Sequence, residues 1–419
     1  MKGLNESQIQ RYGVWVYERF VGVLQSRGDY TRFLIDPNYW DDPERPVLGL
    51  RFEDRPSDIH AAALRLPPWF SNLLPEGRLR DWIAIERGVS RQREMLLLAH
   101  VGHDLPGAVR ITPDVQPPGE WETGEVEAGR SNLRPLEHAE TWKFSLAGVA
   151  LKFSLLQQGD RLTVPAGGQG GDWIVKFPHA EFPGVPRNEY AMMMLARTVG
   201  ITVPETKLHI RTELPDLPPS LWPGEENEAY AVRRFDRGPG GGLVHIEDFA
   251  QVRGFYAEDK YRGSFETVAS LAYRGHDVAS LQEFARRLVF CVLIGNGDGH
   301  LKNWSLVYPD RRNPNLAPAY DLVATAAYRR HSDGPEDLGL KFSNSRRFES
   351  VTLSRLGQLQ HRLRASSADL EDVAADVIAK VMDNWPKVAE LFDGYPQLAA
   401  RIDQHIARSV KTLRGASIS

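Results

Sequence analysis

One cysteine, Cys291, occurs in 419 residues. That excludes a disulfide framework and any multi-cysteine zinc or iron–sulfur site, and it fits a reducing cytoplasm. Charge of one sign is also scarce in excess: 51 Lys+Arg stand against 55 Asp+Glu, a net charge of −4. Tight nucleic-acid binding by the whole chain needs a basic surface to neutralise phosphates, and this composition does not supply one. Long apolar runs are missing too. The longest, residues 288–294, is far short of the roughly 20 residues that cross a bilayer. The segment 1–11 is polar and has no apolar signal region. The final Gly-Ala-Ser-Ile-Ser is not a lipidation box. A soluble cytoplasmic protein with no membrane partner is expected.

Hydrophobic residues make up 42% and aromatics 10%, which is enough for buried cores and excludes global disorder. At roughly 100–200 residues per domain, the length predicts two or three domains. The 36 glycines and 28 prolines predict short elements joined by turns. Residues 1–112 read as a small mixed domain. It has strands over 12–24 and 48–52 and helices over 78–87 and 94–99. Residues 113–139, rich in Pro and Glu, read as a linker. Residues 140–237 are β-rich, with strands over 152–156, 173–177 and 230–235. A helix over 188–199 is closed by Gly200. Residues 165–171 read as a hairpin loop. Residues 238–419 are mainly helical over 264–273, 281–294 and much of 351–413, interrupted by strand-like pieces over 304–308 and 319–324.

The most informative segment is Ile294-Gly-Asn-Gly-Asp-Gly-His-Leu-Lys-Asn303. Its glycines make a tight loop that presents Asp298, His300, Lys302 and Asn303. A further carboxylate, Asp321, lies in the next candidate strand. Phosphoryl transfer needs a carboxylate at the attacking hydroxyl and hard oxygen ligands for magnesium. An Asp-x-x-x-x-Asn loop followed by a later Asp has the spacing of a protein-kinase catalytic loop. A lone Asp-Gly is a turn signal, and an Asp298–His300 metal site has no companion histidine pattern.

Lys176 falls in the apolar strand Trp173-Ile-Val-Lys-Phe177, where its ammonium must reach an anion or solvent. A nucleotide phosphate is one such anion. Glu189 either pairs with Lys176 or complements a helix N-terminus. In Ser145-Leu-Ala-Gly-Val-Ala-Leu-Lys152 the small residues Ala147, Gly148 and Ala150 allow close backbone approach to phosphate, or a simple turn. No Walker A pattern occurs. Arg233-Arg-Phe-Asp-Arg237 is a strand leaving its sheet, the place where a kinase holds adenine. His245-Ile-Glu-Asp248 and Lys260-Tyr261 read as mainly structural. The methionines at 192–194 read as helix core.

In this order the segments resemble the HipA family of bacterial serine/threonine kinases, the toxin half of a toxin–antitoxin pair. The resemblance rests on Asn72-Leu-Leu-Pro-Glu-Gly77, Ser145-Leu-Ala-Gly148 with Lys152, Ile174-Val-Lys-Phe-Pro178, Asn188-Glu-Tyr190, Arg234-Phe-Asp-Arg237, the 294–303 loop and Ala317-Pro-Ala-Tyr-Asp321. It implies an α+β, two-lobed protein-kinase-like fold with a β-rich lobe, a helical lobe and an additional N-terminal domain. It implies Asp298 as the catalytic aspartate, and Asn303 and Asp321 as magnesium ligands. ATP would meet Lys176, Lys152, His300, Lys302, the loop Ala147, Gly148 and Val149, and the linker Arg233, Arg234 and Phe235. Ser145 would be the autophosphorylated serine. A small helix-turn-helix antitoxin, HipB-like, would carry the DNA contacts. The substrate would be a translation component such as an aminoacyl-tRNA synthetase. Two departures stand out: Ala150 replaces the family's usual glutamine, and Arg233 a common glutamate. The Asp-Gly-His-x-x-Asn loop is also similar to that of lipid kinases, which no membrane-binding segment here supports. A nucleotide-binding corepressor without transfer activity is a further alternative, though a mere binder needs no catalytic carboxylate.

Overall fold

Alternating valines close the first element and point into its buried face. In this computed structural model, which describes residues 9–86, 88–102, 104–113, 152–158, 161–163, 170–215, 217–330 and 336–415, strand β1 runs Gln10–Val16. Val14 and Val16 are both fully buried. β2 (Arg19–Arg27), β3 (Tyr30–Ile35), β4 (His60–Ala63) and β5 (Val109–Pro113) complete an antiparallel sheet of order β4-β3-β2-β1-β5. The helices Gly77–Glu86 and Glu94–Val101 lie in the same part of the chain.

The chain divides into two compact units. One comprises residues 1–174, 236–257 and 308–313; the other comprises 175–235, 258–307 and 314–419. In the first unit, residues 48–52 are not a strand: Leu50–Asp54 is a short helix. Residues 47–49 are all buried and Leu50 only partly so, so burial there does not alternate as it would along a strand with one buried face. The Leu50 N–H donates to the Glu247 carboxylate (2.8 Å), so the helix start is satisfied by a side chain in place of a neighbouring strand.

β6 (Lys152–Gln158) and β7 (Arg161–Thr163) form an antiparallel hairpin in this unit. The predicted linker 113–139 lies, apart from Pro113, outside the described residues, and the predicted loop 165–171 is described only at 170–171. The segment 236–257 contributes β11 (His245–Asp248) and the helix Phe249–Arg253. A capping box between Asp248 and Gln251 starts that helix. Glu247 is fully buried. It accepts from Trp69 Nε1 (3.0 Å), the Leu50 N–H and the Tyr308 hydroxyl. Asn72 Nδ2 donates to the Phe255 carbonyl (2.7 Å). Arg237 reaches Asp104 (2.9 Å) and the Gly107 carbonyl (3.0 Å). The structural reading of His245–Asp248 therefore holds.

In the second unit, the end of β8 (Trp173–Lys176) leads a strand order β8-β10-β9, with β9 at Thr206–Ile210 and β10 at Glu228–Arg233. The helix Val185–Thr198 covers these strands with Ala191, Met192, Met193, Leu195 and Ala196, all fully buried. Met192 and Met193 are core, as predicted, whereas Met194 is only partly buried. The remaining helices include Phe265–Tyr273, Val278–Ile294, Leu353–Leu363, Leu370–Ala389 and Pro396–Leu413. Ser264, Asp277 and Thr352 each cap a helix through their side chains. Between helices lie β12 (Ser305–Tyr308), paired through Leu306 and Val307 with β13 (Asn315–Leu316), and the hairpin β14 (Asp337–Phe342) and β15 (Ser345–Arg347). Residues 319–324 are not the predicted strand. Asp321 has φ of 55°, a left-handed conformation that breaks extended structure. Among the described residues, no helix is long and apolar enough to cross a membrane.

Candidate active site

Strand alternation turns Val175 into the core and leaves Lys176 partly exposed on the other face. Its ammonium meets Glu189 Oε1 at 2.5 Å and also contacts Asp321 Oδ1. Glu189 does not serve the helix N-terminus, because the helix begins at Val185; of its two readings the structure has the pair. Burial alone pushes the Lys176 pKa down. The Asp321 and Glu189 carboxylates more than reverse this and leave it raised, so the lysine stays charged. Asn188, fully buried, ties the same helix to the segment that follows Asp321. Its Oδ1 accepts from Ala324 N–H (3.0 Å) and its Nδ2 donates to the Ala324 carbonyl (3.3 Å).

The loop that presents Asp298 starts where the helix Val278–Ile294 ends, at Gly295 with φ of 71°. Glycine is the natural C-terminal cap there. Asn296 then acts as an internal clamp: its Oδ1 accepts from the Asp298 N–H (3.0 Å), and its Nδ2 donates to the Asp321 carbonyl (3.4 Å). Thr325 Oγ1 accepts from the Gly297 N–H (2.8 Å) and donates to the Gly295 carbonyl (3.1 Å). Asn303 Nδ2 closes the turn onto the Asp298 carbonyl (2.7 Å). The backbone of Gly299 lies against Gly339 of β14, whose missing Cβ would sit 2.8 Å from the Gly299 carbonyl carbon. The Asp298 carboxylate is half exposed (52%), and Tyr261 donates to its Oδ1 at 2.5 Å. His300 is buried beside it, with its Nε2 3.9 Å from Asp298 Oδ1.

At the exit of β10, Arg233 is exposed and faces Glu205 (3.6 Å), whereas the Arg234 side chain is buried. The Phe235 ring lies 5.7 Å from the Tyr320 ring. The Tyr320 hydroxyl donates to the Lys302 carbonyl (2.8 Å), so the strand exit, the loop and the residue before Asp321 form one chain of contacts. Lys302 is itself buried. Ser145, Ala147, Gly148 and Val149 lie outside the described residues, and Lys152 is the first residue of β6.

The structure thus brings together Lys176, Glu189 and Asp321, and joins Asp298 to Asp321 through Asn296. Asn303 and Asp321 offer amide and carboxylate oxygens, hard donors of the kind magnesium prefers. Sequence reasoning missed Asn188, Asn296 and Thr325 as organisers, and it gave Tyr261 a structural role where the fold sets its hydroxyl on Asp298. Asn296 could have been suspected from its place between two glycines. Thr325 carries no local signal.

A charged lysine held by a helix-borne glutamate, together with an Asp-x-x-x-x-Asn loop, is the equipment of a protein-kinase-like α+β fold. The solved structure of the Shewanella oneidensis MR-1 HipA, HipB and operator DNA complex has that fold. It matches over 97% of this chain and 100% of its own, with a TM-score of 0.70 and 21% identity. Residues 12–112 match the HipA N-terminal domain and residues 144–385 the HipA-like C-terminal domain. The chain belongs to the HipA family of kinase toxins. It is 41% identical to a Sinorhizobium fredii protein named "Putative kinase Y4dM", covering 94% of this chain and 95% of that one. It is 27% identical to the serine/threonine-protein kinase toxin HipA of Shewanella oneidensis, covering 65% of this chain and 66% of that one.

Proposed function

We infer that the protein is an ATP- and magnesium-dependent serine/threonine protein kinase that arrests growth as a toxin. The observation that carries this is the Lys176 ammonium shared by Glu189 and Asp321, linked through Asn296 to the loop bearing Asp298. A half-exposed carboxylate on a tightly hydrogen-bonded loop can receive an acceptor hydroxyl and its proton. Lys176 supplies fixed positive charge for a nucleotide phosphate while Glu189 keeps it oriented. Asp321 and Asn303 would hold magnesium, which when bound neutralises charge on the transferring phosphates. Backbone groups of Arg233, Arg234 and Phe235 would meet adenine. Lys152 and the Ala147, Gly148 and Val149 loop would cover the phosphates, with His300 and Lys302 beneath the nucleotide. Ser145 is the assigned autophosphorylation site: a phosphate there adds nearly two negative charges beside those of ATP and opposes binding. The assigned division is an N-terminal domain 1–112, a linker 113–139, a β-rich lobe 140–237 and a helical lobe 238–419.

The substrate class proposed is a translation component such as an aminoacyl-tRNA synthetase, and the partner a HipB-like helix-turn-helix antitoxin. A partner that contacts DNA accounts for operator binding by a complex whose toxin chain has net charge −4. The test is transfer of labelled phosphate from ATP and magnesium to a protein band in a cell lysate. Asp298→Ala should reduce labelling by a factor of about 10² or more while magnesium–ADP binding persists. Undiminished labelling by that variant would falsify the role of Asp298. Nucleotide binding by the unaltered protein without any labelled product would instead favour the silent corepressor.

A further inference from the structure

Asp298 has a glycine on each side, Gly297 and Gly299. Glycine leaves the backbone permissive and gives the carboxylate no neighbouring side chain to lean on. Its half-exposed side chain therefore needs an external brace to hold one rotamer. Tyr261 meets that need. Its hydroxyl donates to Asp298 Oδ1 at 2.5 Å. Its ring stands edge-on to His300, centroids 5.1 Å apart and planes at 81°. The Tyr261 carbonyl accepts from Arg346 Nη2 (2.7 Å), and Arg346 Nη1 in turn holds the Gly339 carbonyl (2.6 Å). The preceding carbonyl, of Lys260, accepts the Leu301 N–H (3.0 Å). The tyrosine is thus held to the loop through the backbone of the residue before it, to β14 through Arg346, and to His300 by its ring. Only the hydroxyl points at the carboxylate.

We propose that Tyr261 is the positioning residue for the catalytic carboxylate, fixing Asp298 through Oδ1 so that Oδ2 faces the acceptor hydroxyl. This rests on the kinase reading above. The phenol takes no proton from the acceptor and forms no bond to phosphorus; it sets the geometry in which Asp298 does its work.

The test compares full-length wild type, Tyr261→Phe and Tyr261→Leu for labelled phosphate transfer to the lysate acceptor and for magnesium–ADP affinity. Phe keeps the ring on His300 and deletes only the hydroxyl. Its transfer rate should fall about ten- to a hundredfold, with nucleotide affinity within about twofold of wild type. Tyr261→Leu should lose at least as much. An unchanged rate in Tyr261→Phe overturns the proposal. So does a faster one, which would show that the hydroxyl blocks the acceptor. Phosphate found on Tyr261 of the wild type by mass spectrometry also overturns it, since the tyrosine would then be an acceptor. If the wild type itself transfers no phosphate, the kinase reading falls and this role falls with it; an active wild type with an active Phe variant removes only the role of Tyr261.

Discussion

Side chains whose chemistry demands a charged partner were the readable ones. Lys176 in an apolar strand had to reach an anion or solvent, and it finds two carboxylates. Tyr261 was not readable, because its bond to Asp298 spans 37 residues and no local pattern announces it. The structural pair Glu247 and His245 shows the same limit and yields a pH prediction. Burial raises the Glu247 pKa from 4.5 to about 7, against the lowering effect of its three donors. Burial lowers that of His245 from 6.5 to about 4. A carboxyl whose folded pKa is raised gives stability that is complete below pH 4.5 and lost as pH climbs through 7. The depressed histidine acts oppositely: its contribution is present above 6.5 and lost as pH falls toward 4. Each amounts to about 3 kcal/mol, so between pH 4.5 and 6.5 they nearly cancel. Glu247→Gln should uncover the histidine slope. Urea denaturation of the variant should show stability falling as pH drops from 6.5 to 4.5, while the wild type shows little change from these two groups. Equal slopes would show that Glu247 does not titrate in this range. A second residue-scale test concerns Asp321. Asp321→Asn frees Lys176 from one carboxylate and removes the proposed magnesium carboxylate, so, on the kinase reading, thermal stabilisation by ADP should lose its magnesium-dependent increment.

Elements with a cap and a clear period were legible: the helices preceded by Ser264, Asp277 and Thr352 occur where the pattern puts them. Two short stretches were not. Leu50–Asp54 looked extended because Leu48, Leu50 and Phe52 alternate, yet only the outer two are buried. Residues 319–324 looked like a strand by composition, but the left-handed Asp321 has no place in one. Both outcomes depend on distant partners, Glu247 for the first and Asn296 for the second. The packing of β14 behind the Asp298 loop is also invisible in sequence. It gives a prediction: a Cβ at Gly339 would lie 2.8, 2.9 and 3.0 Å from backbone atoms of Gly299 and His300, which cannot swing aside. Gly339→Ala should destabilise the fold by about 1–3 kcal/mol. It should also lower the rate of phosphate transfer more than it weakens ADP binding, which denaturation and parallel kinetics would check.

If, as proposed, a HipB-like partner carries the DNA contacts of a chain of net charge −4, the purified chain alone should not retard operator DNA at physiological salt. Addition of the proposed antitoxin should produce a shift that weakens steeply with salt. Salt-resistant binding by the lone chain would contradict this. Cys291 is buried, with its thiol pKa raised by desolvation to about 12, and offers no redox handle. The division into units also matters for anyone who wishes to dissect the protein. The first unit draws residues 236–257 and 308–313 from far along the chain. A fragment cut at 112 would leave Trp69, Asn72 and Leu50 without Glu247 and Phe255. No single scission separates the two bodies cleanly, so nicked halves should remain associated after proteolysis, and a ribosome must release residues past 313 before the first unit can finish folding.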